Sequence, residues 1–382
     1  MTIKKCKIAM ILSAALFTAT QPAWADITVG VSLSSTGPGA ALGIPEKNAV
    51  ALMPGEIGGE KVNYIVLDDG TDPSAATKNA RKLVTEDHVD VLIGSSVTPS
   101  SLAIAEVAVE SATPQIAVAP INLPPEKNKW VFRTPQHNDV MAGALVAHMK
   151  QAGVKKLGFI GYSDAYGEDW LTSVKPLLDE AGITLTTTER FNRTDTSVSG
   201  QVLKIVASRP DAVLVVASGS PAALPQTALK ERGFKGQIYQ THAAANPAFL
   251  KVAGAKAEGT IMPIGPVVVV DQIPDSHPSK KVAGEFVAAY EAKYGAGSFS
   301  SFAGHAYDAY HLLAAAVPAA LEKAKPGTAE FRQALRDALE SSKDVVGVHG
   351  VFNMTPDNHF GMDERGRVLI RVEQGGYKLL PM

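Results

Sequence analysis

The sequence predicts an α/β protein built as two lobes, and three observations predict it. Short, mostly apolar runs alternate with longer amphipathic stretches from Asp26 onward. This alternation starts twice along the chain. A proline-rich interval, Pro120 to Pro135, separates the two series. Strand–helix–strand repetition implies parallel βαβ units with right-handed crossovers.

In the first series, Ile27–Leu33, Tyr64–Leu67, Val89–Ile93 and Gln115–Ala119 read as strands. They are short and apolar, as strands covered on both faces are. Asp72-Pro73 starts a helix, with Asp as the cap and Pro in the first turn. Ala76, Ala80, Leu83 and Val84 then share one face. Thr98-Pro99 repeats the start signal. The interval from Pro120 to Pro135 holds four prolines and little periodicity, so it is expected to cross between lobes rather than fold into an element.

In the second series, Leu157–Ile160, Ile183–Thr187, Ala212–Val216 and Gln237–Tyr239 read as strands. Helices over about Gly167–Ala181, Ser199–Ser208 and Pro221–Arg232 separate them, with Gly182 and Gly233 as left-handed ends. A loose stretch, Pro263 to Pro278, leads to helices near Pro278–Lys293, Ser300–Leu321 and Thr328–Ser341. Val368–Val372 is a last strand.

Length and composition narrow the class. The chain has 382 residues, 46% hydrophobic and 19% charged, which excludes disorder and collagen-like repeats. Its net charge of -2 gives no sign of a nucleic-acid partner. The only cysteine, Cys6, falls within an expected signal peptide, residues 1–25. Lys4, Lys5 and Lys7 form its positive end, Ile8 to Thr20 its apolar stretch, and Ala23-Trp24-Ala25 its cleavage site. Removing those 25 residues and their three lysines leaves 357 residues, a net charge of -5 and no cysteine. An exported, soluble protein without disulfides or thiolate chemistry is expected.

The catalytic motifs are weak. Gly37-Pro38-Gly39-Ala40-Ala41-Leu42-Gly43 has its last glycine one residue late for a dinucleotide loop, and Pro38 removes an amide donor; a glycine-rich βα turn is the better reading. Gly161-Tyr162-Ser163-Asp164-Ala165 lacks the second glycine of a nucleophile elbow. His305, Asp308 and His311 share a helix at spacings that do not converge on one metal, and read as ordinary helix-face residues. No cofactor is expected.

The order of several short motifs resembles the type I periplasmic solute-binding proteins of ABC importers, in the leucine/isoleucine/valine-binding branch. They are Ile27-Thr28-Val29-Gly30 with Ser34-Ser35-Thr36-Gly37-Pro38, then Asp68-Asp69, Ala80 to Val84, and Val89 to Gly94. Tyr166-Gly167-Glu168, Ala306-Tyr307-Asp308-Ala309 and Gly350-Val351-Phe352 continue the series. The resemblance implies two Rossmann-like lobes joined by three crossing segments, closing on a ligand as a Venus flytrap does. It implies lobe 1 over 26–138 and 266–352, and lobe 2 over 139–265 and 353–382. It also implies a monomer in the periplasm, not an enzyme, working with permease subunits in the inner membrane.

Site residues follow from the same resemblance. The loop Gly94-Ser95-Ser96-Val97-Thr98 matches the family's carboxylate-holding loop, so Ser96, Val97 and Thr98 are expected at the ligand. Ile121 and Asn122 match the facing segment. Tyr166 matches an aromatic that closes from the second lobe, Phe302 an apolar wall, and Ser220 a turn on lobe 2. Amino-acid receptors carry a Glu where this chain has His242. Between Asp211 and Glu258 the only acid is Glu231, in the preceding helix. A desolvated ammonium without a counter-charge is expensive. The ligand is therefore not expected to be an α-amino acid. The small entry loop Gly39-Ala40-Ala41-Leu42 leaves volume for an apolar body, and the resemblance to members of this branch that take aromatic acids implies a small carboxylate such as a benzoate or a phenyl-keto acid. A branched-chain amino-acid receptor, a sensor subunit and an exported α/β hydrolase or oxidoreductase are the alternatives.

Overall fold

The structure, a computed structural model, describes residues 26–381. The expected signal peptide lies outside the described residues. Two sheets organise the molecule. The first runs in the order β2-β3-β1-β4-β5-β6. Its strands are β1 (Ile27–Leu33), β2 (Glu56–Ile57), β3 (Glu60–Asp68), β4 (Val91–Gly94), β5 (Gln115–Ala117) and β6 (Val131–Arg133). All pair in parallel except β2, which forms a hairpin with β3. β1 is central, and Ile27, Val29, Val31 and Leu33 are fully buried, because helices cover both faces.

The helices of this part are α1 (Ala40–Val50), α2 (Pro73–Thr85), α3 (Thr98–Ser111) and the single turn α4 (Pro125–Asn128). Asp72 caps α2 by accepting from the Ala75 amide at 2.7 Å. Two segments differ from the sequence reading. The segment read as a glycine-rich turn continues into α1, despite Pro45 inside it. The proline-rich interval holds α4 and β6, so the chain leaves the first sheet only after Arg133. Strand pairing with β5 outweighs the flanking prolines.

The second sheet runs β15-β14-β11-β10-β9-β7-β8. It is built from β7 (Lys156–Tyr162), β8 (Thr184–Phe191), β9 (Ala212–Val216), β10 (Gln237–Gln240) and β11 (Ile261–Ile264), all parallel. Helices α5 (Asn138–Gln151), α6 (Ala165–Ala181), α7 (Ser199–Ala207), α8 (Ala223–Glu231) and α9 (Pro247–Ala253) flank it. The chain then returns to the first sheet's side. There α10 (Lys280–Tyr294), α11 (Ser301–Leu321) and α12 (Ala329–Glu340) follow, with α11 against α1 and α12. A short hairpin, β12 (Val345–Val346) and β13 (Val351–Phe352), precedes β14 (Val368–Glu373) and β15 (Gly376–Leu380), which join the second sheet antiparallel. No helix among the described residues is long and apolar enough to cross a membrane.

Both sheets share one topology. In each, the first strand sits between the next two strands that pair with it in parallel, β3 and β4 in one and β8 and β9 in the other, giving a switch point at β1/β4 and at β7/β9. Ligands of open α/β sheets bind beyond the carboxyl ends of strands at such points. Here the two switch points face each other.

Candidate functional site

A cavity of about 350 Å³, its mouth included, lies between the two sheets. From the first sheet come Ser96, Val97 and Thr98 after β4, then Val118 to Pro120 after β5. From the second come Tyr166, after β7, Arg193 after β8, Ser218 after β9, and His242 with Ala243 after β10. Leu42 of α1 and Phe302 and His305 of α11 complete it with Pro135.

The loop after β4 is set by its backbone. Gly94 has φ +125°, and a Cβ there would stand 2.0 Å from the Ser32 carbonyl oxygen. Gln115 Nε2 holds the Gly94 carbonyl at 2.7 Å, and Ser101 Oγ holds that of Ser95 at 2.9 Å. Ser95 Oγ donates to Asp69 Oδ2 at 2.6 Å. Ser96 Oγ accepts from the Ser34 amide at 2.9 Å and bonds to buried Glu46. Thr98 Oγ1 donates to the Pro120 carbonyl at 3.0 Å, so its hydroxyl can face a ligand only as an acceptor. Replacing Gly94 by alanine should destabilise the protein by at least about 2 kcal/mol, since the side chain meets backbone at a forbidden φ. Ligand affinity should fall with it. Urea denaturation and a binding titration on the Gly94→Ala variant check both.

The second-lobe wall is aromatic and basic. Asp164 caps α6 by accepting from the Tyr166 amide, which fixes Tyr166 at the cavity. The Tyr166 hydroxyl donates to Thr241 Oγ1 at 2.9 Å, and burial pushes that hydroxyl's titration up. His242 lies edge-on to Tyr166 and leans on Trp170, with ring centroids 6.3 and 5.8 Å away. It is 3% exposed, and its Nδ1 has no partner. Burial drives the imidazole down to about 3, with His349 adding to the effect. His305, across the cavity, stacks on His349 at 3.9 Å and likewise leaves Nδ1 unpartnered. Burial pushes it well below the usual histidine range, helped by His349 and His242. Both rings are neutral at neutral pH.

Arg193 is the one cation of the lining. Its Nε donates to Asp164 Oδ2 at 2.6 Å and its Nη1 to Ser218 Oγ at 3.0 Å, while its guanidinium lies 4.1 Å from the Tyr162 ring centre. No Asp or Glu lines the cavity.

Of the residues expected from the sequence, the structure brings together Ser96, Val97, Thr98, Tyr166, His242 and Phe302. It does not bring Ile121, Asn122 or Ser220 to the cavity. Ile121 is buried, and its carbonyl accepts from Arg133 Nε at 3.0 Å. Asn122 turns outward to Asp169 and His137. Ser220 opens a 3-10 turn, and Ser218 occupies the lining instead. Leu42 belongs to the expected entry loop, whereas Arg193 and His305 were not expected there. Arg193 gave no local signal: the sequence reading ends its strand at Thr187, while in the structure β8 runs on to Phe191 and delivers Arg193 to the cavity.

Known proteins share this fold. The family described as periplasmic binding protein matches residues 26–375. A Leu/Ile/Val-binding protein homolog 3 of Brucella melitensis is 27% identical over 269 residues, 66% of this chain and 72% of its own length. An extracellular ligand-binding receptor from Rhodopseudomonas palustris HaA2 is 50% identical, with a TM-score of 0.92 over 94% of this chain and 100% of that one. A solute-binding protein of an R. palustris ABC transporter, solved in complex with benzoate, shares the fold. Its TM-score is 0.78 at 22% identity, covering 93% of this chain and 96% of that one. Two doubly wound sheets with facing switch points, the cavity between them and a match over nearly all described residues lead to one assignment: the chain belongs to the periplasmic binding protein family.

Proposed function

We propose that this protein is a periplasmic receptor of an ABC importer whose cavity takes a small carboxylate with an aromatic body. One observation carries the proposal: the lining holds a single cation, Arg193, and no acid. An α-amino acid would bring an ammonium with no counter-charge, and desolvating it unpaired costs several kcal/mol. A carboxylate instead meets the Arg193 fork on one side and the loop of Ser96 and Val97 on the other. Leu42, Val118, Tyr166 and Phe302 offer apolar surface to a ring. The neutral His242 and His305 have free Nδ1 atoms suited to a hydroxyl or carbonyl on the ligand. The benzoate held by the R. palustris relative agrees with this chemistry.

In this scheme lobe 1, residues 26–138 and 266–352, receives the carboxylate. Lobe 2, residues 139–265 and 353–382, closes with Tyr166, Arg193 and His242, and the closed monomer docks on the permease. A hydrolase would need an activated nucleophile. Among the described residues neither the Ser96 nor the Ser218 hydroxyl bonds to a histidine; the hydroxyls' partners are Ser34, Glu46 and Arg193.

The name of the Brucella relative favours a second reading, a branched-chain amino-acid receptor. A thermal-shift screen separates the two. A ligand at 100 times its Kd stabilises by about 2.7 kcal/mol. Benzoate, hydroxybenzoates or phenylpyruvate should raise the melting temperature, while leucine, isoleucine and valine should not. A shift with the amino acids alone overturns the proposal.

A further inference from the structure

Behind the ligand loop lie two buried carboxyls with unequal partners. Asp69 accepts four hydrogen bonds, from Ser34 Oγ at 2.7 Å, Thr71 N at 3.0 Å, Ser95 Oγ at 2.6 Å and Ser32 Oγ at 3.2 Å. Glu46, on α1, has one partner, Ser96 Oγ, and its other oxygen is buried with none. An ionised carboxylate so placed leaves a buried charged oxygen without a protein donor, which is costly. Burial raises the Glu46 carboxyl well above its usual range; the Ser96 bond opposes this and Asp69 reinforces it.

The elements around α1 supply no compensating cation. Asp69 faces Glu46 from the loop after β3. α11 carries His305, Tyr307, Asp308, Tyr310 and His311, and Asp308 is engaged by His349 and the Val348 amide. From α10, Tyr290 and Tyr294 bond to Asn48, and Lys293 bonds to the Ala51 carbonyl. Lys47, on α1 itself, is exposed.

Hydrogen counting at Ser96 then gives Glu46 a role. The Ser96 hydroxyl has one hydrogen and two lone pairs. One lone pair takes the Ser34 amide. If Glu46 were ionised, it would claim the Ser96 hydrogen and set a negative charge behind the loop. If Glu46 is neutral, its proton fills the second lone pair, and the Ser96 hydrogen is left for the cavity that Ser96 lines.

We propose that Glu46 is a positioning residue that acts as a hydrogen-bond donor to Ser96, turning the Ser96 hydroxyl toward the ligand carboxylate and keeping the loop free of negative charge. This rests on the carboxylate-receptor reading above. The receptor therefore selects anions in part through a carboxyl that never touches them.

Infrared difference spectra of ligand-free wild type against Glu46→Gln, together with benzoate titrations, test it. At neutral pH the wild type should show a protonated-carboxyl band that Glu46→Gln lacks. Glu46→Gln, whose amide still donates to Ser96, should bind benzoate with unchanged affinity. Ser96→Ala should lose about tenfold or more, the value of a hydrogen bond to a charged group. At alkaline pH, wild-type affinity should fall only where the band disappears, and that of Glu46→Gln should not follow. Absence of the band at neutral pH overturns the proposal whatever the ligand. So does a Glu46→Gln affinity that rises tenfold, the mark of an ionised Glu46, or a Ser96→Ala variant that binds as wild type. A wild type that shows the band yet binds leucine and no carboxylate of the aromatic kind overturns the receptor reading and spares the protonation of Glu46.

Discussion

Replacing Arg193 by methionine should weaken binding of an aromatic carboxylate by about 2–5 kcal/mol, roughly 30- to 4,000-fold, the range for truncating one partner of a buried charge pair. The expectation follows from scarcity. The cavity offers a carboxylate backbone amides, hydroxyls and neutral imidazoles, but only one full charge of opposite sign. Arg193 is already oriented by Asp164 and Ser218 and braced on Tyr162, so little ordering remains to be done when a ligand arrives. Asp164 is the local control. It loses its ion pair but still caps α6 through the Tyr166 amide, and a partly exposed pair is worth about 1 kcal/mol or less. The melting temperature should therefore drop slightly while affinity collapses. Arg193→Lys keeps the charge but loses the planar fork, and should fall between. Calorimetric titration with benzoate checks the series; a Met variant that binds as wild type removes Arg193 from recognition.

The framework was legible in the sequence because it is written locally. Alternating apolar runs marked β1, β4, β7 and β9, and Asp72-Pro73 marked the start of α2. Elements were missed where local signals conflict with tertiary pairing. β6 lies among prolines and holds through its ladder to β5. α1 carries a proline and a glycine and packs on α11, far along the chain, which no short-range pattern announces. The cavity divides in the same way. The loop at Gly94 to Thr98 is contiguous and sits at a strand-to-helix junction, so sequence reached it. Arg193 and His305 meet in the cavity only because distant elements converge. Asn122 fails for the opposite reason. It neighbours Pro120 in the chain, but its amide is drawn away to Asp169.

The buried histidines make the protein's stability depend on acid. An unfolded histidine titrates near 6.5, whereas His242 in the fold titrates at about 3 because burial disfavours its charged form. Between those values the unfolded chain binds the extra proton, so stability is complete above about pH 6.5 and is lost as pH falls toward 3. At pH 5, His242 alone should cost about 2 kcal/mol relative to pH 7, because each pH step below 6.5 costs about 1.36 kcal/mol while only the unfolded ring is protonated. His305 is displaced in the same direction and adds to the loss. A His242→Gln variant separates this from general acid denaturation, because glutamine has nothing to protonate. Its stability at pH 7 is immaterial; the difference between pH 7 and pH 5 is the measured quantity. Urea denaturation at both values should show a loss in wild type about 2 kcal/mol larger than in His242→Gln. Equal losses would mean that His242 is hydrated or partnered in the native state, and would remove the neutral imidazole on which its fit to a ligand hydroxyl or carbonyl depends.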